Sequence, residues 1–304
     1  METLWYRAGN LMTGLAVQRF QEHAEVVIDD PQWLETHGTK AGNDGYFGKD
    51  SDKLARLVQD KLGLYVDGVV GENTWKAIYK HLDLSDPTEP KVYTADNGVK
   101  VIDGREIWTP VKKFGGTYRP WTGDDKNRIR GVMLHQTGCW MPEKVSTWKT
   151  INAHCGITRE GTLILMFDFS MLIWHGNDLT RPTIGIEVGG LFEGLEGHSN
   201  TVWPKGAKTY EFNEAQLKAT DTLFDVIKAE FEKHGGTWEV VYAHRQSHDW
   251  RMSDPGETIW KQVGIPWIKK LGATDGGKDF CVGSGHPIPE EWNPEYVGNK
   301  FWAG

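Results

Sequence analysis

A loop near residue 250 combines side-chain types that can bind a catalytic metal. Residues 244–256 read HRQSHDWRMSDPG and follow an apolar run at residues 238–243. That run is rich in β-branched and aromatic side chains and predicts a strand, so His244 would project from a strand end, where active sites are common. The sequence Asp254-Pro255-Gly256 predicts a turn that fixes the pose of the Asp254 carboxylate.

A second histidine ends another predicted strand. Residues 130–137 read RGVMLHQT, and the apolar run stops at His135, which would meet His244 if the two strands are neighbours in one sheet. Two imidazoles and the Asp254 carboxylate suit Zn²⁺, and three protein ligands leave a fourth position for the water that a hydrolase needs. The residues alone leave open a second interpretation, in which His135 and His244 are buried histidines hydrogen-bonded to the backbone.

Four segments carry a resemblance to a known enzyme family. They are VMLHQT at residues 132–137, AHCGITREG at 153–161, WHGN at 174–177 followed by IGIE at 184–187, and the loop at 244–256. From about residue 127 to residue 271 the chain resembles the zinc-dependent N-acetylmuramoyl-L-alanine amidases of the type 2 family, which are relatives of the peptidoglycan recognition proteins.

The resemblance implies a role for each of four residues. His135, His244 and Asp254 are expected to be the three Zn²⁺ ligands, and Glu187 is expected to assist the attacking water. The chemistry fits these roles, because zinc lowers the pKa of its bound water to about 7 and a nearby carboxylate can take up the proton and pass it on. The alternative is that Glu187 is an ordinary acid at the end of a strand.

One position departs from the family pattern. Much of the family has a lysine two residues before the third ligand, where it can stabilise the oxyanion, but this chain has Met252. A thioether cannot replace an ammonium group. We expect the neighbouring Arg251 to supply the charge, since its guanidinium is permanently charged.

Four further residues are expected to line the cleft because they lie in the matching segments. His154, Trp174, His175 and Asn177 are predicted to contact substrate, and the two histidines have the alternative of supporting the metal ligands.

The first ninety residues contain an internal repeat of the pattern D-G-x-x-G-x-x-[ST]. It occurs at residues 44–51 and at 67–74, and each copy precedes apolar residues at helical spacing. Ser51 and Thr74 are the expected helix caps. With an earlier helix around Phe20, the pattern predicts three helices and resembles the type 1 peptidoglycan-binding domain of cell-wall hydrolases.

We therefore predict an α/β fold with a mixed central β-sheet flanked by helices, preceded by the small three-helix domain. The expected divisions are a helical domain at residues 1–83, a linker at 84–125, the zinc amidase domain at 126–275 and a C-terminal extension at 276–304. Asn213 with Gln216 predicts a capping box for one long helix, which Gly235 and Gly236 close.

Composition limits the partners and the compartment. A formal net charge of −8 disfavours nucleic acid, and no apolar run is long enough for membrane insertion. Three cysteines form no disulfide framework, and the N-terminus lacks the pattern of a signal peptide. We expect a monomer that is made in the host cytoplasm and acts on bacterial peptidoglycan in the cell wall, as a bacteriophage endolysin does. The alternative is a recognition protein of the same fold without turnover.

Overall fold

The chain divides into two compact units. The computed structural model describes residues 3–6, 12–13, 15–29, 45–84, 89–108, 110, 113–123, 126–194 and 209–293. An N-terminal unit comprises Met1–Lys91 with Gly104–Thr109, and a C-terminal unit comprises Val92–Asp103 with Pro110–Gly304.

Three helices dominate the described part of the N-terminal unit, as the repeat predicts. They are α1 (Leu15–Ile28), α2 (Lys49–Lys61) and α3 (Glu72–His81), and two short antiparallel strands accompany them, β1 (Met12–Thr13) and β2 (Tyr46–Phe47). Phe20, Leu54 and Trp75 are fully buried where the apolar faces of the helices meet. Burial of these faces stabilises helices that would be marginal alone.

The predicted helix caps are wrong. The N-cap positions of α2 and α3 are Gly48 and Gly71, whereas Ser51 and Thr74 lie inside the first turns and are buried. Each hydroxyl donates to the carbonyl two residues before the cap glycine. The two hydroxyls thus stabilise the turn that precedes each helix and do not cap the helix N-terminus.

The repeat has a structural counterpart in two buried glutamines. The Oε1 atom of Gln21 accepts the Gly45 amide at 3.0 Å, and that of Gln59 accepts the Gly68 amide at 2.8 Å. The Nε2 atom of each glutamine donates to the hydroxyl of the same motif copy, Gln21 to Ser51 and Gln59 to Thr74. Each glutamine therefore satisfies a buried turn that the backbone alone would leave unpaired. Asp44, the first residue of the first copy, lies outside the described residues.

A seven-stranded mixed sheet forms the centre of the C-terminal unit. Its strands are β3 (Lys91–Thr94), β4 (Lys100–Asp103), β6 (Gly131–Gln136), β7 (Cys155–Ile157), β8 (Leu163–Leu165), β10 (Thr183–Val188) and β11 (Val240–Ala243). The spatial order is β11-β6-β10-β7-β8-β4-β3, and β5 (Lys113–Tyr118) pairs separately with β9 (Met171–Ile173). The strands β11, β6, β10 and β7 run parallel, whereas β7 and β8 form an antiparallel hairpin. The mixed sheet confirms the predicted fold class.

Helices cover one face of this sheet. They are α5 (Glu214–Lys233), α6 (Glu257–Ile259) and α7 (Ile265–Leu271), with a π-helical turn at Trp260–Gly264 between the last two. The short α4 (Val145–Trp148) lies on the other face, where Trp148 packs against Gly156 of β7. The Asn213 side chain accepts the Gln216 amide at 2.9 Å, and the chain turns at Gly235 with φ +66°, as predicted. The reciprocal half of the predicted capping box is not formed, because the Gln216 side chain bonds to Gly189 and Arg159 instead. Among the described helices, we find none with both the length and the apolar surface needed to cross a membrane.

Strand alternation separates the core from the site. Val132, Leu134 and Ile186 point toward the helices and belong to the main core. The residues between them point to the opposite face, where His135 lies on β6 and Glu187 lies directly beside it on β10. The second face therefore carries the candidate catalytic residues.

The segments expected to be a linker and an extension contribute to this unit. Residues 92–103 supply strands β3 and β4, and residues 113–118 form β5. Beyond residue 276, Ile288 and Trp292 are buried in the main core. The predicted domain boundaries stay predictions, and residues 294–304 lie outside the described part of the chain.

Glu239 joins the starts of two parallel strands through two ion pairs. Its carboxylate accepts Arg128 Nη2 at 2.6 Å and Arg130 Nε at 2.7 Å. Burial acts to raise the pKa of Glu239, but the two guanidinium groups outweigh it and hold the pKa below its ordinary value. The folded protein therefore favours the ionised form of Glu239. The two ion pairs stabilise the fold fully at pH values above the pKa of Glu239 in the unfolded chain, and this stabilisation is lost as pH falls through its lower pKa in the folded protein.

We expect Glu239→Gln to lower the free energy of unfolding by about 1 kcal/mol at pH 7. The difference from the unsubstituted protein should shrink below pH 4, and urea unfolding at both pH values measures it. Glu232→Gln is the matched control, because the Glu232 side chain is 66% exposed in its pair with Lys228. Equal losses for both variants, or a loss independent of pH, would contradict the assignment.

Candidate metal centre

Three buried side chains converge at the carboxyl ends of β6 and β11. His135 is the penultimate residue of β6, His244 directly follows β11, and Asp254 lies in the loop beyond. One ligand atom from each lies within 4.8 Å of the others. His244 Nδ1 lies 2.8 Å from His135 Nδ1 and 2.8 Å from Asp254 Oδ2. Sequence reasoning chose these three residues, and the fold brings all of them together.

The backbone holds the Asp254 carboxylate in place. Its Oδ1 atom accepts the Gln136 amide at 2.9 Å, which leaves Oδ2 directed toward His244. The Asp254 carbonyl accepts the Arg245 amide at 2.9 Å, so the two ends of the loop are joined beside the ligands. The carboxylate is therefore oriented by the strand that carries His135.

A hydrogen-bonded chain fixes the orientation of the His135 ring. His175 Nε2 lies 3.1 Å from the Thr183 carbonyl, which can only accept, so this nitrogen carries the proton. His175 Nδ1 is then an acceptor, and His135 Nε2 donates to it at 3.1 Å. The lone pair of His135 remains on Nδ1, the atom that faces His244. Support of this kind is typical of metal-binding histidines.

Gly185 makes room for this chain. A Cβ at residue 185 would lie 2.7 Å from the His175 ring, closer than side-chain contacts allow. The glycine in the predicted IGIE segment thus allows His175 to pack on the sheet behind His135.

Burial sets the protonation of the centre. It lowers the pKa of His135 and of His244 well below the ordinary value for histidine, with repulsion from neighbouring groups adding to the effect. It also raises the pKa of Asp254 to about 6. Both imidazoles are neutral at pH 7, so their lone pairs are available to a metal.

Glu187 lies beside the three ligand residues. It is the register partner of His135 on β10, so the two side chains leave the sheet on the same face. Burial, and secondarily the charge of Asp254, raise the pKa of Glu187 well above its ordinary value. Its Oε2 atom is buried and has no hydrogen-bond partner among the described residues. A buried carboxylate oxygen without a partner needs one, and a water or a substrate can supply it.

The donor set fits zinc. Two neutral imidazole nitrogens and one carboxylate oxygen are common protein ligands of zinc, and three of them leave a position open. The raised pKa values of Asp254 and Glu187 indicate that the buried site lacks compensating positive charge, which a divalent cation would provide.

Arg251 is the exposed cation near this cluster. Against the dominant effect of burial, its charge lowers the pKa of both Glu187 and Asp254. Met252 is buried, with 9% of its surface exposed. Arg251 stays the candidate for the charge that the family lysine supplies, and this role stays a prediction.

The four predicted substrate residues occupy different positions. Trp174 is 45% exposed, and the Asn177 side-chain amide donates to the Ser247 carbonyl at 3.4 Å. His175 and His154 are buried. His154 Nδ1 accepts the Gly185 amide at 2.9 Å, and its Nε2 donates to the carbonyl of Met171 at 2.9 Å. These contacts favour the alternative role of support for the two histidines, because their ring nitrogens are occupied within the protein.

Arg119 is a site-supporting residue that sequence reasoning missed. It is 2% exposed and donates to the carbonyls of Thr183, Phe169 and Met171, among others. The Thr183 carbonyl thus accepts from both Arg119 and His175. Arg119 lies in the segment expected to be a linker, and nothing in the local sequence marks its burial.

Residues 125–257 match the family model described as N-acetylmuramoyl-L-alanine amidase. This part of the chain is similar to the N-acetylmuramoyl-L-alanine amidase family. The match contains His135, Glu187, His244 and Asp254, and it ends at Glu257, the first residue of α6. Residues 125–257 thus contain all four candidate residues, at the carboxyl ends of β6, β10 and β11 and in the loop that follows β11.

Several solved structures are similar to part of this chain. The amidase LysC from Clostridium intestinale URNW is 16% identical with a TM-score of 0.32, covering 52% of this chain and 95% of that chain. The Ph2119 endolysin of a Thermus scotoductus MAT2119 bacteriophage is 18% identical with a TM-score of 0.32, covering 53% and 93%. Drosophila peptidoglycan recognition protein SA is 14% identical with a TM-score of 0.34, covering 50% and 84%. No curated protein matches the chain.

We expect His175→Ala to weaken zinc binding by about 10–100-fold, because His135 loses the acceptor that fixes its tautomer. Competition with a chromophoric chelator, without substrate, measures the affinity. His175→Gln should restore part of it, since the glutamine amide offers an acceptor and a donor. His81→Ala, on the exposed end of α3, is the control. Unchanged affinity in His175→Ala would contradict the supporting role.

Proposed function

We propose that the protein is a zinc-dependent N-acetylmuramoyl-L-alanine amidase. It hydrolyses the amide bond between N-acetylmuramic acid and L-alanine in bacterial peptidoglycan, as a monomeric phage lysis enzyme acting on the cell wall. The observation that carries this proposal is the convergence of His135, His244 and Asp254 beside the unpaired carboxylate oxygen of Glu187. The family match at residues 125–257 supports the choice of bond.

The proposed mechanism assigns one task to each residue. His135 and His244 would hold zinc through Nδ1, and Asp254 through Oδ2. Zinc, when bound, would acidify a water and polarise the scissile carbonyl. Glu187 takes the proton of the attacking water and delivers it to the departing amino group of L-alanine. The C–N bond breaks as the new C–O bond leaves a carboxylate on the lactyl group.

The N-terminal unit is proposed to bind the cell wall. Its support is the resemblance of the repeated motif to peptidoglycan-binding domains, together with the buried glutamine that closes each copy. A second binding unit keeps an enzyme close to an insoluble substrate and raises its effective concentration there.

A non-catalytic recognition protein is the second candidate. The observation that favours it is Met252, which stands where the family pattern has a lysine. Loss of one oxyanion donor typically costs about 10²–10³ in rate. This candidate predicts wall binding and zinc binding without cleavage.

Incubation of purified peptidoglycan with the protein, with and without a zinc chelator, decides between the candidates. We expect free L-alanine amino termini, without new reducing sugars, only when zinc is present, and mass spectrometry identifies the ends. Glu187→Gln should retain zinc and lose about 10²–10⁴ in rate, because the proton acceptor is removed. Glu193→Gln, at an exposed position beyond β10, is the matched control. Zinc-loaded protein that binds the wall and cuts nothing would overturn the amidase proposal.

The proposed role of Arg251 in stabilising the oxyanion is tested by removing its charge and then placing a charge at residue 252. We expect Arg251→Ala to lower kcat by about 10²–10³, because the oxyanion loses its cation. Adding Met252→Lys to that variant should restore part of the rate by placing an ammonium group at the family position. Steady-state kinetics on a soluble muramoyl-peptide measure both. Arg251→Ala with unchanged kcat would remove Arg251 from the mechanism.

A further inference from the structure

The chain beyond the amidase match returns to the loop that carries the metal ligands. The family match ends at residue 257, and the last helix ends at Leu271. The following residues, 275–293, run back over the 3₁₀ turn His244–Ser247. We call residues 275–293 the strap.

Backbone bonds join the strap to the turn. The Val282 amide donates to the Gln246 carbonyl at 2.8 Å, and the His286 amide donates to the Arg245 carbonyl at 2.8 Å. A Cβ at Gly285 would lie 2.2 Å from the Gln246 carbonyl oxygen. The strap therefore lies so close to the turn that only glycine fits at residue 285.

The side chain of Gln246 adds a second connection. It is fully buried, and its Nε2 atom donates to the Asp275 carbonyl at 2.7 Å and to the Phe280 carbonyl at 3.3 Å. Its Oε1 atom accepts the Ala243 amide at 2.9 Å, at the end of β11. One buried amide thus ties the strap to the strand end from which His244 projects.

Arg245 connects the strap to both ligand positions in the loop. It follows His244 directly and is 3% exposed. Its Nε atom donates to the Pro287 carbonyl at 3.0 Å, and its Nη1 atom donates to the Met252 carbonyl. Its guanidinium carbon lies 4.8 Å from the centroid of the Trp292 ring. A planar group with several fixed donors can hold these positions together, which the flexible ammonium of lysine cannot.

The far end of the strap is anchored in the core. Trp292 is 1% exposed and Ile288 is 2% exposed, and both belong to the main hydrophobic core. The Asn293 side chain donates to the Asp275 carboxylate at 3.2 Å, which closes the strap on itself. The strap is therefore a fixed element and can restrain the loop that it covers.

We propose that the strap positions the zinc-binding loop, with Arg245 as the positioning residue that transmits this restraint to His244 and Asp254. The inference rests on the proposed zinc site. Metal ligands must be held to within about 0.5 Å of their working geometry, and a turn of four residues after a strand end has few contacts of its own to achieve this. The strap supplies those contacts from outside the matched amidase domain.

Substitutions in the full-length protein test the proposal. Trp292→Leu removes the ring that covers Arg245, and Arg245→Lys keeps the charge but removes the planar donors. Trp267→Leu is the matched control, because Trp267 is equally buried in the same core but packs against Phe224 and Trp238. Gly285→Ala is a second, smaller change that puts one methyl group against the Gln246 carbonyl.

Two measurements are made on each variant, and neither uses activity. Hydrogen exchange of residues 244–254 in the zinc-free protein reports the mobility of the loop, and chelator competition reports zinc affinity. We expect Trp292→Leu and Arg245→Lys to speed exchange in the loop and to weaken zinc binding by about 10–100-fold. Trp267→Leu should change neither. If Trp292→Leu does not fold, Gly285→Ala and Arg245→Lys carry the same comparison.

The coupling must also act in reverse. Because linkage is reciprocal, zinc added to the unsubstituted protein should slow exchange of the Val282 and His286 amides in the strap. Loop exchange and zinc affinity that are the same in Trp292→Leu, Arg245→Lys and Trp267→Leu would overturn the proposal. Failure of the unsubstituted protein to bind zinc would instead refute the proposed function, since loop exchange in the zinc-free protein still tests the strap.

Discussion

The candidate site depends on the parallel alignment of three neighbouring strands. Because β11, β6 and β10 run in the same direction, their carboxyl ends meet at one edge of the sheet. His244, His135 and Glu187 are thereby brought together from positions more than fifty residues apart in the chain. The same alternation directs Val132, Leu134 and Ile186 to the helix-covered face and His135 and Glu187 to the opposite face, where Met133 and Tyr242 form a second buried cluster. A shift of one residue in any strand would exchange the two sets.

Residues that do not bind the metal orient the proposed ligands His135 and Asp254 for binding. An imidazole has two nitrogens, and a ligand must present the one without a proton. His175 and the Thr183 carbonyl fix this choice for His135, and the Gln136 amide fixes which oxygen Asp254 presents. The centre is thus defined by backbone groups at strand ends, which the fold holds more rigidly than side chains.

Charge balance explains the arrangement around the centre. The buried carboxyl groups of Glu187 and Asp254 have raised pKa values, so the site favours a cation. The buried guanidinium groups of Arg119 and Arg245 are bonded to carbonyl oxygens of the backbone. These bonds hold loops together, whereas the charge of the exposed Arg251 lowers the pKa of both carboxyl groups against the effect of burial.

The sequence by itself determined the elements and the candidate ligands. Apolar runs that end in His135 and His244, the Asp254 turn and the Asn213 cap are local patterns, and each follows from residue types within a few positions. Tertiary structure decided the rest. The burial of Arg119, the placement of His175 behind His135 and the return of residues 275–293 over the ligand loop depend on contacts between distant segments. No local pattern marks them, because their hydrogen bonds go to backbone carbonyls, which every residue possesses and only the fold positions.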